Sequence, residues 1–280
     1  MLAVALALAA SACWGVSDFA GGLTSRRLPA LVVLLGQQLA GALIVAAIVV
    51  ATATGPPAGS TVWLSLLAGL TGALALGAFY RALALGTMSV VAPISASGVT
   101  LPAIVGIATG DRLSALQALG LVATLAGVVL ASREVHDDAG AAAGSRRGIA
   151  LAVVAAVAFG AYFTLTDAVA DESILWLLLL GRAAAIPVLA AVVAARAPAV
   201  RPGRRDLGAL AAIGALDLTA TGLYALAMTE GLLSIVSVVG SLYPVATVLL
   251  ARAVLKERLR RPQQAGVAIA FAGVAAVAAG

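Results

Sequence analysis

GDRLSALQALGLVATLAGVV at 110–129 comes back as KERLRRPQQAGVAIAFAGVA at 256–275. Asp111-Arg112-Leu113 falls on Glu257-Arg258-Leu259, Gln117 on Gln263, Gly120 on Gly266 and Gly127 on Gly273. Further toward the N-terminus, after a one-residue slip, the correspondence continues: Gly15 with Gly160, Gly36 with Gly181, Gly69 with Gly214, Gly77 with Gly222 and Gly86 with Gly231. Chance places only ~1 to 2 such glycine pairs at one offset in a chain with 30 glycines in 280 positions, so five mark an internal repeat.

What repeats is apolar. The 280 residues are 62% hydrophobic and 10% charged, with a mean hydropathy of +1.12. That excludes a soluble globular domain, where about a quarter of the residues are charged, and it excludes disorder, which needs low hydrophobicity. At about 20 residues per span, the length holds roughly ten transmembrane helices. Apolar stretches fall near 2–22, 30–53, 61–80, 88–109, 114–132, 148–169, 173–195, 207–228, 232–254 and 262–279. TSRRLP, TGPPAGS, REVHDDAGAAAGSRRG and RAPAVRPGRRD separate them with the Pro, Gly and charge that end helices. The expected organisation is a five-span unit over 1–135, a polar connector over 136–147 and a second five-span unit over 148–280.

Five is odd, so the second unit enters the bilayer from the face opposite the first. The expected fold is therefore an all-α integral membrane protein of ten helices in two inverted five-helix repeats, the plan of secondary transporters that work by alternating access. Two fused halves remove the need for a partner chain, so a monomer is expected. The odd-numbered connections hold fourteen Arg or Lys residues and the even ones only Arg112. By the positive-inside rule both termini then lie outside the cytoplasm of a multi-pass inner-membrane protein. The N-terminal stretch ending in ASAC (10–13) loosely imitates a signal peptide, but no Lys or Arg precedes Arg26, so it is expected to remain as the first span.

Several functions fall away on composition. The formal charge is +5, but no basic run carries interleaved aromatics, so nucleic acid is not an expected partner. Cys13 is the only cysteine and His136 the only histidine, which leaves no intrachain disulfide and no Cys/His metal site. No Gly-rich phosphate loop ends in GKT or GKS, so ATP-driven pumping is not expected. Neither a cofactor nor an enzymatic constellation is expected.

The sequence resembles the drug/metabolite transporter superfamily in its bacterial EamA-type branch. WGVSDFAGG at 14–22 is similar to the family's first-span motif, with FGAYF at 159–163 its weaker echo; FYRALALGTMSVVAPI at 79–94 matches too. The fullest likeness is SLYPVATVLLARAVLKERLRRPQQAGVAIAFAGV at 241–274, where Pro244, Glu257-Arg258-Leu259, Gln263, Gly266 and Gly273 stand at the family's spacing. The first unit departs from it with Gly98 where the second has Pro244, and Asp111 where the family usually has Glu. Members are commonly drawn with both termini in the cytoplasm, the reverse of the charge count. The resemblance implies export of amino acids or related small metabolites.

Candidate site residues are polar groups that interrupt apolar spans, since a mid-membrane charge costs at least ~2.5–3.5 kcal/mol. Asp217 lies mid-span with Thr221, Tyr224 and Met228 on the same helical face. It is either a carboxylate that couples transport to protons or cations, or the ion-pair partner of Arg182 in the preceding span. Asp18 sits one turn from Trp14, which either lines a cavity or packs between helices. Asp167, near a span end, is expected at the interface, as are Trp63 and Trp176. Pro93, Ser95, Ser97, Gly98, Thr100 and Pro102 break the fourth span, and Ser234, Ser237, Ser241, Tyr243 and Pro244 break the ninth. Matched interruptions point to a central site, although small residues also serve close packing. Tyr80, Tyr162 and Tyr224 add hydroxyls and ring faces suited to a zwitterionic solute. With only 12 aromatic residues, small metabolites are favoured over the lipophilic cations of a multidrug exporter. A non-transporting scaffold is the other alternative, and the buried polar residues speak against it.

Overall fold

The computed structural model describes residues 1–25, 27–57, 59–85, 94–95, 97–131, 146–196, 202–255 and 261–280. Within them the order is α1 (Leu2–Ser25), α2 (Ala30–Ala51), α3 (Ser60–Leu85), a 3-10 turn (Ser97–Val99), α4 (Thr100–Thr109), α5 (Ala115–Ala131), α6 (Arg146–Ala170), α7 (Ile174–Arg196), α8 (Arg204–Thr229), α9 (Leu233–Gly240), α10 (Tyr243–Leu255) and α11 (Arg261–Ala279). Every element is helical because a lipid-facing backbone has no other way to satisfy its own N–H and C=O groups short of a closed barrel.

Among the described residues, six helices have the length and apolar character to cross a membrane: Leu2–Ser25, Ala30–Ala51, Ser60–Phe79, Arg146–Ala170, Ile174–Arg196 and Arg204–Thr229. The remaining expected spans are built from shorter helices. The ninth is split in two, α9 and α10 meeting at Ser241 and Leu242. The fourth is represented by the 3-10 turn and the ten-residue α4, and residues 86–93 of that stretch, with Pro93, lie outside the described residues. Leu43, Val50, Leu119 and Val122 are exposed, as expected of side chains that face lipid rather than water.

Local chemistry sets the helix ends. Ser114 and Gln117 form a reciprocal cap at the start of α5, the Ser114 N–H donating to Gln117 Oε1 at 2.9 Å and the Gln117 N–H donating to Ser114 Oγ at 3.1 Å. Asp206 accepts from the Gly203 N–H at 2.9 Å at the start of α8, and an ion pair of 3.7 Å to Arg27 ties that end to the turn after α1.

The two halves pack in exchange-related pairs. α1 lies against α8 as α6 lies against α3, and α2 packs on α8 as α7 packs on α3. α2 with α7, and α5 with α11, are each their own counterpart. Several glycines of the repeat are crossing points. A Cβ on Gly160 would meet the Gly98 carbonyl oxygen at 2.7 Å, and one on Gly15 would strike Ala246 of α10. One on Gly69 would run into the Gly181 backbone, and one on Gly214 would come within 2.5 Å of the Gln37 carbonyl oxygen. Helix axes brought this close gain dispersion contacts that larger residues would block.

Candidate functional site

An ion pair within the spans joins α7 and α8. Arg182 is 5% exposed; its Nη2 donates to Asp217 Oδ2 at 2.8 Å and its Nη1 to the Leu178 carbonyl at 3.2 Å. Gly41 on α2 makes the space: a Cβ there would lie 2.6 Å from Arg182 Nε. That Nε has no hydrogen-bond partner. Of the two readings of Asp217, the ion pair with Arg182 is thus formed. Thr221, one turn on, spends its hydroxyl on the Asp217 carbonyl at 2.9 Å and buries the rest.

Beside this pair lies a cluster of rings from both halves. The Trp14 ring centre is 5.3 Å from Tyr224, 6.2 Å from Phe163 and 6.3 Å from Tyr243, the last edge to face. Phe163 is the hub, 5.0 Å from Tyr224, 5.4 Å from Tyr162 and 6.5 Å from Phe159. Phe159 in turn reaches Phe79 at 6.4 Å. Apart from the stacked Phe159–Phe163 pair, these are the tilted and edge contacts that ring quadrupoles favour. Trp14 is therefore packed against rings of α6, α8 and α10 rather than against lipid. A small recess opens between Ser95, Val99, Phe159, Phe163, Ser241 and Tyr243, so residues of the fourth, sixth and ninth expected spans do converge. Two buried hydroxyls here, Tyr224 Oη and Ser95 Oγ, have no hydrogen-bond partner among the described residues, although a buried hydroxyl ordinarily finds one.

Serine hydroxyls add hydrogen bonds around the break between α9 and α10. Ser11 of α1 donates across the interface to the Val239 and Gly240 carbonyls at 3.0 and 2.5 Å. Ser241, at the edge of the recess, turns back to the Val238 carbonyl at 2.7 Å, and the fully buried Ser237 to the Leu233 carbonyl at 2.6 Å. Ser97 is exposed and caps the Ile94 carbonyl at 2.6 Å. The side chain of Tyr80 lies outside the described residues.

Asp18 differs from Asp217. It is exposed, and among the described residues it has neither a hydrogen-bond nor an ion-pair partner, yet it interacts electrostatically with Asp217 and with Tyr243. The two carboxylates, 199 positions apart in sequence, thus belong to one region of the fold.

Sequence reasoning passed over four contributors. Phe159 and Phe163 were visible only as ends of the FGAYF echo. Gly41 carried no signal beyond being a glycine in an apolar run. Asp111, noticed only as a repeat marker, accepts from the Ser234 N–H at 3.0 Å and its hydroxyl at 2.7 Å, so a carboxylate from the first half caps the broken helix of the second.

These features define a multi-pass helical membrane protein built from two alike halves around an aromatic and hydroxyl-lined centre. The family model for EamA-like transporters matches residues 1–133 and again 146–279, and the chain belongs to that family, within the drug/metabolite transporters. The fold also superposes on a crystal structure with a TM-score of 0.81, at 19% identity, over 98% of this chain and 95% of the other. No curated protein matches the sequence.

Proposed function

We propose that the protein is a secondary transporter that exports amino acids or related small polar metabolites across the inner membrane by alternating access. The reading takes the two halves as inverted repeats of five spans, ten in all, with both termini outside the cytoplasm and a monomer as the working unit. The observation that carries it is the meeting of Trp14, Phe163, Tyr224 and Tyr243 from α1, α6, α8 and α10 beside a buried ion pair. A packing-only interface in lipid has no need of unsatisfied hydroxyls or of a carboxylate in the span. Coupling to a proton gradient would run through the carboxylates of this centre, without ATP, enzyme chemistry or a cofactor.

Counterflow in proteoliposomes tests this directly. Labelled amino acids, nucleosides and a lipophilic cation are offered to vesicles preloaded with each unlabelled compound. Uptake of amino acids above protein-free vesicles is expected. Exchange confined to the lipophilic cation would move the substrate to the multidrug class, and no exchange of any solute by folded protein would end the transport reading. Asp217→Asn is expected to abolish or uncouple exchange while the protein still folds, because the amide can accept from Arg182 but carries no charge. Equal rates for mutant and wild type at acidic and neutral pH would remove Asp217 from the mechanism.

A further inference from the structure

We propose that Asp18 is the cation-binding carboxylate of this protein and that, with the ring faces of Trp14 and Tyr243, it receives the ammonium group of an organic solute. The inference rests on the transport reading above only for what the site is for, not for whether the site exists.

Three observations carry it. First, the other carboxylate of the region is already engaged: Asp217 is held by Arg182 at 2.8 Å, so that pair presents little net charge to a ligand. Among the described residues Asp18 has no such partner, and an unpaired carboxylate in an apolar span is retained at a cost unless something binds it. Second, the packing of α1 fixes where Asp18 points. Gly15 lies against α10, its carbonyl accepting from Thr247 Oγ1 at 3.3 Å, and Ser17 donates to the Ile213 carbonyl of α8 at 3.2 Å. Val16 faces outward. The arc between those two contacts carries Ser11, Trp14 and Asp18, so the carboxylate faces the gap between α8 and α10 and not the lipid. Third, that gap is floored by aromatic rings, Trp14 with Tyr243 at 6.3 Å and with Tyr224 at 5.3 Å, and the buried Tyr224 hydroxyl there is unpartnered.

A carboxylate in open space beside ring faces is the donor set for an ammonium ion, which gains a charge-assisted contact from the first and quadrupole attraction from the second. It is a poor set for an anion. The other ionisable groups on the helices packed against α1 are Asp217 and Tyr224 of α8, with Arg204, Arg205 and Asp206 in that helix's first turn, and Tyr243 and Arg252 of α10, the side chain of Arg252 lying outside the described residues; α2 and α9 carry no charged residue.

Trp14 supplies its own reporter once Trp63 and Trp176 are changed to Phe. Trp63 is largely exposed, and Trp176 donates its indole N–H to the Thr54 carbonyl, so neither belongs to the ring cluster. In that background, 3-methylbutylamine and tetraethylammonium should change Trp14 emission in a saturable way, and 4-methylpentanoate should not. Asp18→Asn should weaken the amine response by about tenfold or more, the loss of one charge-assisted contact, whereas Asp18→Glu should keep it. Trp14→Leu, read by equilibrium dialysis of labelled tetraethylammonium, should also lose affinity, and it decides the matter if Asp18→Asn does not fold. A response to the amines that survives Asp18→Asn within about twofold, or one abolished by Asp217→Asn and not by Asp18→Asn, overturns the proposal. So does an equal response to the carboxylate. Amine binding without counterflow would count against the transport reading alone; counterflow without amine binding would count against Asp18 alone.

Discussion

The contact between α5 and α11 and the ring cluster between α1, α6, α8 and α10 both join the two halves, and they are built on opposite principles. In the first, Gly120, Gly127 and Gly273 let backbones touch: a Cβ on Gly120 would meet the Gly273 carbonyl oxygen at 2.7 Å, and one on Gly127 would strike the backbone of Ala270. Thr124, fully buried there, returns its hydroxyl to the Gly120 carbonyl at 2.8 Å. In the second, large rings meet, and Tyr224 Oη, Ser95 Oγ and the nearby Arg182 Nε are left without partners. An interface of small residues with its polar groups satisfied has one good arrangement. One with orphaned donors is incomplete without something further, as expected where a solute passes or helices rearrange.

The comparison can be broken by substitution. The largest effect is expected from Arg182→Met, which strands Asp217 among apolar neighbours; losing one partner of a buried pair costs ~3–5 kcal/mol. Thermal unfolding in detergent should show it, and adding Asp217→Leu should recover most of the loss. If the double variant is no more stable than the single one, the pair is not what holds α7 to α8. Gly127→Leu comes next, since overpacking a tight contact costs ~1–3 kcal/mol; a wild-type melting temperature would mean that α5 and α11 do not touch as described. Ser11→Ala is the mildest. It removes the donor that answers the Val239 and Gly240 carbonyls, and a loss of ~1 kcal/mol is expected. No change would indicate that water already serves those carbonyls.

Much of this was legible in the chain. Glycine recurrence marked the repeat because each recurring glycine that crosses a partner helix is a place where nothing larger fits, as at Gly15 and Gly160 or Gly69 and Gly214. Gln117 closes a cap that Ser114 opens, although the second copy has Arg260 at the position equivalent to that serine. The break in the ninth span was announced by its serines. Pairings across helices were not legible, because periodicity fixes a residue's face but not the neighbour it meets. Arg182 and Asp217 were candidates for each other only by depth in adjacent spans, and Asp111 reaches Ser234 across 123 positions with no local signal. Asp18 and Asp217 looked alike in sequence, and only their partners separate them.

The most direct measurement is water access to single cysteines placed in the two regions, in a Cys13→Ala background. Ser241→Cys, beside the ring cluster, should react with a small, membrane-impermeant thiol reagent, at a rate that substrate alters. Thr124→Cys, in the glycine-lined contact, should stay protected under the same conditions. Protection of both positions in folded protein would contradict a solute pathway through the centre.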